Sequence, residues 1–187
     1  MSNILEMFEQ HGALLRGHFL LSSGLHSDRY LQCALVLQHP AVAEELGRLI
    51  AQAFAGVAID VVVGPALGGV VIGQEVGRAL RTRAIFAERE GSRMTLRRGF
   101  TVAQGERALI VEDVVTTGGS SQEVLEMLTG MGASVAGVGA IIDRSGGAAK
   151  FPVLFRALET LAIATHKPEA CPLCAKGIPV VKPGSRK

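Results

Sequence analysis

Glu112 and Asp113 are adjacent carboxylates at the end of an apolar run, and Thr116, Thr117, Gly118, Gly119 and Ser120 follow almost at once, in 109-LIVEDVVTTGGS-120. Small residues ahead of a helical pattern leave backbone N–H groups and hydroxyls free at a helix start, where the dipole favours an anion; a phosphate fits there. Taken alone, the Thr/Gly segment reads equally well as an ordinary helix cap with a glycine turn. The two acids change that balance. Beside a phosphate they would repel it unless they had another task, and accepting hydrogen bonds from two vicinal hydroxyls is such a task. A ribose 5-phosphate satisfies the whole stretch. Its hydroxyls fall on Glu112 and Asp113 and its phosphate on Thr116 through Ser120, with Val114 and Val115 inside the same binding segment.

Such a turn needs strands and helices to present it. From residue 59, short apolar runs alternate with helical patterns, predicting strands over 59–63, 84–87, 107–112 and 134–143 and helices over 69–81 and 119–131. The runs are rich in Val, Ile and Leu and lack polar alternation, as in a parallel sheet covered on both faces, so the fold class is α/β. Ligands of such sheets lie beyond the carboxyl ends of the strands, and the unusual loops 64–69, 88–99, 112–120 and 143–147 all fall there. Ahead of this region, Asn3 and Glu6 have the spacing of a capping box, predicting a helix over 3–13 that buries Leu5, Phe8 and Met7 or Leu14. Residues 18–37 read as two extended segments around the turn formers 23–27. Pro40 then opens a helix over 41–54 that Gly56 stops. The tail 166–187, rich in Pro, Gly and Lys, reads as a surface wrap or a flexible end.

Composition narrows the partners. At 187 residues and 48% hydrophobic content the chain can bury a core in one domain. A net charge of +2, one Tyr and no Trp leave no basic face interleaved with aromatics for nucleic acid. No apolar run nears the ~20 residues of a membrane span, and 1-MSNILEMFEQHGALL-15 lacks a basic start followed by an apolar core, so a soluble, unprocessed, cytoplasmic protein is expected. An odd cysteine count argues for reduced thiols. Cys171 and Cys174 form a C-x-x-C pair, but a second pair is missing and only Cys33, His166 and scattered histidines could complete a zinc site. Two reduced thiols in a tail are the favoured reading over zinc.

The segment 109–120 resembles the phosphoribosyl-pyrophosphate motif of the type I phosphoribosyltransferases. Within that family, residues from about 3 to 155 look like the orotate phosphoribosyltransferases: 18-HFLLSSGLHSDRYLQ-32 resembles their N-terminal substrate segment, 64-GPALGG-69 their pyrophosphate loop, 86-FAEREGSRMTLRRGF-100 their mobile catalytic loop and 141-IIDRSG-146 their orotate-contacting turn. The resemblance implies a mainly parallel central sheet flanked by helices with a small hood. The whole of 1–187 would be one domain: a hood of about 1–38 plus part of the C-terminal segment, a core of about 39–165 and the tail 166–187.

It further implies transfer of a phosphoribosyl group from phosphoribosyl pyrophosphate to orotate, giving orotidine 5′-monophosphate in pyrimidine biosynthesis. Magnesium is expected on substrate oxygens without a dedicated protein cage, and the expected assembly is a homodimer with shared active sites. Arg144 would pair with the orotate carboxylate, Tyr30 would lie against the ring, and Thr116 would serve both phosphate and base. Gly64, Pro65, Ala66, Leu67, Gly68 and Gly69 would hold pyrophosphate. The family carries lysines where this chain has Ser22 and Gly68, and lysine and histidine in the mobile loop where this chain has arginines. Arg89, Arg93, Arg97 and Arg98 are the replacement cations. Arg93 and Arg89 are the catalytic choices beside Asp113, and Arg93 ranks first because it follows Gly91 and Ser92, where the chain can swing. Rival readings are a purine-type phosphoribosyltransferase, which Arg144 and the hairpin argue against, and a phosphoribosyl-pyrophosphate-binding regulator, which would need a nucleic-acid face.

Overall fold

The computed structural model describes residues 3–21 and 23–183, which divide into two compact units. The smaller is made of Met1–Val36 with Ala162–Lys187, and the larger of Leu37–Leu161.

In the smaller unit, helix α1 (Ile4–Gln10) starts where the Asn3 side chain accepts the Glu6 N–H at 3.2 Å. It is shorter than expected, because Gly12 takes φ +62 just beyond it, and it buries Ile4 and Phe8 while Leu5 stays partly exposed. Strands β1 (Leu14–Leu20) and β2 (His26–Leu31) form the expected antiparallel hairpin. Its second arm ends early: Cys33–Leu37, read as extended, is instead helix α2. A run as short as Ala34-Leu35-Val36-Leu37 carries no period to separate strand from buried helix.

The larger unit begins with α3 (Pro40–Ala53), Pro40 supplying its first turn, followed by β3 (Val61–Pro65), α4 (Gly68–Leu80) and β4 (Arg83–Glu90). Next come β5 (Arg93–Leu96), β6 (Arg107–Val115), α5 (Gly119–Gly130), β7 (Ser134–Asp143) and β8 (Phe155–Thr160). The six strands lie in the order β5-β4-β3-β6-β7-β8; β4, β3, β6, β7 and β8 run parallel, and β5 returns antiparallel along β4. Side chains alternate across the sheet, so Val61, Val63 and Ile110 join Val124, Leu125 and Leu128 of α5 in one core cluster. Val62 turns the other way, towards α4 at Gly73. Gly137 and Gly139 of β7 leave room for Phe54, whose ring sits where their side chains would be.

Two sequence expectations fail here for identifiable reasons. The segment 88–99, read as a loop from its Arg, Gly and Ser content, is a hairpin of β4 and β5 with Gly91 at φ +60 in the turn. Strand β6 continues three residues beyond 112, so both acids lie on a paired strand.

The C-terminal segment folds back within the smaller unit. Strand β9 (Thr165–His166) pairs with β2, a 3₁₀ turn covers Pro168–Ala170, and a single helical turn, α6, covers Pro172–Ala175. Val181 then exchanges backbone hydrogen bonds with the β1 strand, donating to His18 O and accepting from Leu20 N–H, both at 2.8 Å. No helix of the described residues is long and apolar enough to cross a membrane.

Candidate active site

The order of the strands determines where a ligand can go. From β3 the chain crosses through α4 to β4 on one side, whereas from β6 it crosses through α5 to β7 on the other. The loops after β3 and β6 therefore diverge at a switch point, leaving a crevice at their carboxyl ends. Residues 64–69 and 112–120 span those two loops together with the strand ends and helix starts on either side of them.

The loop after β3 is compressed. Its Ala66–Leu67 peptide is cis, Leu67 is 88% exposed, and Gly64 and Gly69 approach so closely that a Cβ on Gly64 would overlap the Gly69 backbone. A Cβ on Gly68 would overlap the Asp113 carboxylate, with Oδ2 at 2.7 Å. Gly68 thus brings backbone directly against the Asp113 carboxylate.

Glu112 and Asp113 are held differently. Glu112 accepts a hydrogen bond from the Ser121 hydroxyl in the first turn of α5. Burial pushes its carboxyl up to about 7, the Asp113 charge adds to this, and Ser121 pulls the other way. Asp113 is also raised by burial, opposed by N–H donation from Val114 at 2.9 Å. Among the described residues no cation contributes to either environment. Two half-buried acids so placed favour further hydrogen-bond donors.

Beyond them, Thr116 and Thr117 are exposed, Gly118 turns at φ +83, and α5 begins at Gly119 without a side-chain cap. The Gly118 turn lies under Phe151, whose ring would meet a Cβ there at 2.9 Å. The first N–H groups of a helix lack partners within it, so this end can receive an anion. At the end of β7, Asp143 is buried and accepts N–H groups from Ser145 at 2.8 Å and Gly147 at 3.1 Å. Those bonds shape the turn carrying Arg144, whose own N–H reaches Val115 O at 2.8 Å and ties the turn to the end of β6.

The four arginines separate clearly. Arg89 is paired with Glu123 at 2.8 Å, and Arg98, at φ +57, with Glu88 at 2.8 Å, its guanidinium 5.6 Å from the Phe86 ring centroid. Arg93 and Arg97 are exposed and form no ion pair with a described residue. Tyr30 stands on β2 of the smaller unit, its ring centroid 5.9 Å from that of Phe19. Ser22 lies outside the described residues.

Sequence reasoning missed Ser121 and Glu123, because a serine and a glutamate on a helical pattern carry no signal until strand and helix are placed together. It also did not assemble one cluster in the smaller unit, where His18 and His26 converge on Cys171 and Cys174.

A family model described as the phosphoribosyl transferase domain matches residues 34–153. The orotate phosphoribosyltransferase of Pelotomaculum thermopropionicum is 55% identical over 98% of this chain and 97% of its own length, and that of Caldanaerobacter subterraneus subsp. tengcongensis is 54% identical over the same shares. The crystal structure of orotate phosphoribosyltransferase from Aeropyrum pernix superposes with a TM-score of 0.74 at 25% identity, covering 85% of this chain and 94% of that one. At such identity over nearly the whole of both sequences, the chain belongs to the orotate phosphoribosyltransferase family, within the phosphoribosyl transferases.

Proposed function

We propose that this protein transfers the 5-phosphoribosyl group of phosphoribosyl pyrophosphate to orotate, releasing pyrophosphate and forming orotidine 5′-monophosphate for pyrimidine biosynthesis. The observation that carries the reading is the contact of Gly68 with Asp113 at the sheet's switch point. It supports the reading because residues 64–69 and the two acids lie side by side, as a single substrate bearing pyrophosphate and ribose requires.

Breaking the anomeric C–O bond leaves positive character on the ribose and gathers negative charge on pyrophosphate, so the work is positioning and electrostatic stabilisation. Glu112 and Asp113 accept the ribose hydroxyls, and Thr116 to Ser120 with the start of α5 hold the 5-phosphate. The backbone of 64–69 cradles pyrophosphate, and Arg93 meets its developing charge. Arg144 offers a guanidinium fork to the orotate carboxylate, Thr116 also serves the base, and Tyr30 keeps the role of aromatic face that the sequence resemblance implies. Magnesium suits the site, since the half-buried carboxylates are hard oxygen donors with no cation of a described residue beside them. When bound it would offset charge on the pyrophosphate and ribose oxygens. The protein works in the cytoplasm as a homodimer, the β4–β5 hairpin of one chain reaching the partner's site and shielding the reactive centre from water.

The test is a base panel with purified protein, magnesium and phosphoribosyl pyrophosphate, following orotate absorbance. Orotate should be consumed while adenine, hypoxanthine and uracil are not, since uracil lacks the carboxylate for Arg144. Efficient uracil turnover would sink this reading.

A further inference from the structure

We propose that His18, His26, Cys171 and Cys174 form a tetrahedral Cys2His2 site for a zinc ion that fastens the C-terminal segment to the β1–β2 hairpin. The four ligand atoms lie within 4.8 Å of one another. His18 comes from β1, His26 opens β2, and the cysteines flank the start of α6, so three segments distant in sequence converge. His18, His26 and Cys171 are buried, and Cys174 lies at the surface.

The proton inventory favours a metal over a hydrogen-bonded cluster. His18 Nδ1 lies 2.7 Å from the Ile178 carbonyl oxygen, which can only accept, so Nδ1 carries the proton and Nε2 of the neutral ring presents one lone pair. Three groups converge on that lone pair: His26 Nδ1 at 2.8 Å, Cys171 Sγ at 3.5 Å and Cys174 Sγ at 3.7 Å. One lone pair cannot accept from all three. A cation at their centre satisfies every one, and the Ile178 carbonyl then acts as the partner that orients a ligating imidazole. Zinc bonds of about 2.0 to 2.3 Å put tetrahedral neighbours roughly 3.3 to 3.8 Å apart. Three of the four nitrogen–sulfur separations, 3.3, 3.5 and 3.7 Å, fall in that range, and the whole set lies within 4.8 Å, so the ion would draw the widest pair inward. The nitrogen pair at 2.8 Å would open by about half an ångström to admit the ion.

Among the described residues the C-terminal segment has little regular structure to hold it, a two-residue strand, a 3₁₀ turn and one helical turn, with Val181 bonded to β1 beyond them. Mixed thiolate and imidazole donors at C-x-x-C spacing select zinc over magnesium or calcium, and a closed set of four protein ligands leaves no position for a substrate. The site is structural.

Protein purified without chelator should carry about one zinc per chain by elemental analysis, the stoichiometry of a four-ligand site. Replacing zinc with cobalt should give the visible absorption of a tetrahedral site and a thiolate-to-cobalt charge-transfer band. Cys174→Ser should weaken zinc binding by about 10²-fold or more, while Cys33→Ser leaves it intact. Cys174→His should recover a tetrahedral cobalt spectrum, which separates loss of a ligand from loss of the fold. Reduced wild-type protein that contains no zinc and gives no tetrahedral cobalt spectrum overturns the proposal. A Cys171–Cys174 disulfide in the protein as purified, or metal retained by a folded Cys171→Ser, Cys174→Ser double variant, overturns it equally.

Discussion

Arg89 and Glu123 hold each other at 2.8 Å, joining the end of β4 to α5. This pair, with that of Arg98 and Glu88, occupies two of the four loop cations with carboxylates, whereas Arg93 has no ion-pair partner among the described residues. An engaged guanidinium must give up a contact before it can meet pyrophosphate. Arg93→Ala should therefore lower kcat by about 10²-fold or more with a smaller change in KM, the scale of losing one preorganised charge contact. Arg89→Ala should have a far weaker effect. Initial rates of orotate loss measure both, and the opposite ranking would transfer the role to Arg89.

Asp113→Asn should lose most activity while remaining fully folded, because a neutral amide is a poor substitute for a carboxylate accepting ribose hydroxyls. Mixed with Arg93→Ala protein under subunit exchange, it should regain activity, since one hybrid site then combines an intact hairpin with intact acids. A mixture that exchanges subunits yet stays as inactive as its parents would refute the shared site.

Glu112 makes stability depend on pH. Its carboxyl titrates near 7 in the folded chain against an ordinary 4.5. Below 4.5 both folded and unfolded states are protonated. Between 4.5 and about 7 the folded state binds more protons, so stability falls as pH rises, and above 7 the loss is complete. The gap sets a ceiling of about 3 kcal/mol at about 1.4 kcal/mol per pH unit. Asp113, raised in the same direction, adds to the trend. Glu112→Gln should therefore raise the unfolding temperature relative to wild type more at pH 8 than at pH 5. Parallel melting curves at both pH values would contradict the burial argument.

Gly68→Ala should leave the fold intact yet impair phosphoribosyl pyrophosphate use, because the new methyl group must displace the Asp113 carboxylate. A shift of that order at a positioning residue costs about 10²-fold in kcat/KM. Steady-state kinetics at varied phosphoribosyl pyrophosphate would detect it; wild-type values would mean that Asp113 moves freely.

The parallel strands and the ribose-phosphate turn are legible because their signals are local: a continuous apolar run, two acids and a glycine-rich helix start lie within twelve residues. The β4–β5 hairpin is not, since its second arm is only four residues long and follows a charged stretch and a Gly-Ser turn, pairing because β4 is already fixed in the sheet. Strand β8, 155-FRALET-160, escapes for a related reason: it is short and half-exposed and gains its state from β7. The histidine–cysteine cluster is the extreme case. His18 and Cys171 are 153 residues apart, and no spacing rule applied along the chain connects them until β9 returns the C-terminal segment to the hairpin.

The position of β5 at the margin of its sheet has a colloidal consequence. Among the described residues one side of this strand has no neighbouring strand, and a bare row of backbone donors and acceptors is a template on which further copies can polymerise. β5 is only four residues long, starts with Arg93 and is followed at once by Arg97 and Arg98. Two such margins brought together would crowd like charges and gain few ladder bonds. The cations proposed to meet a departing pyrophosphate thus also discourage fibre growth, and neutralising all of them is expected to lower solubility as well as rate.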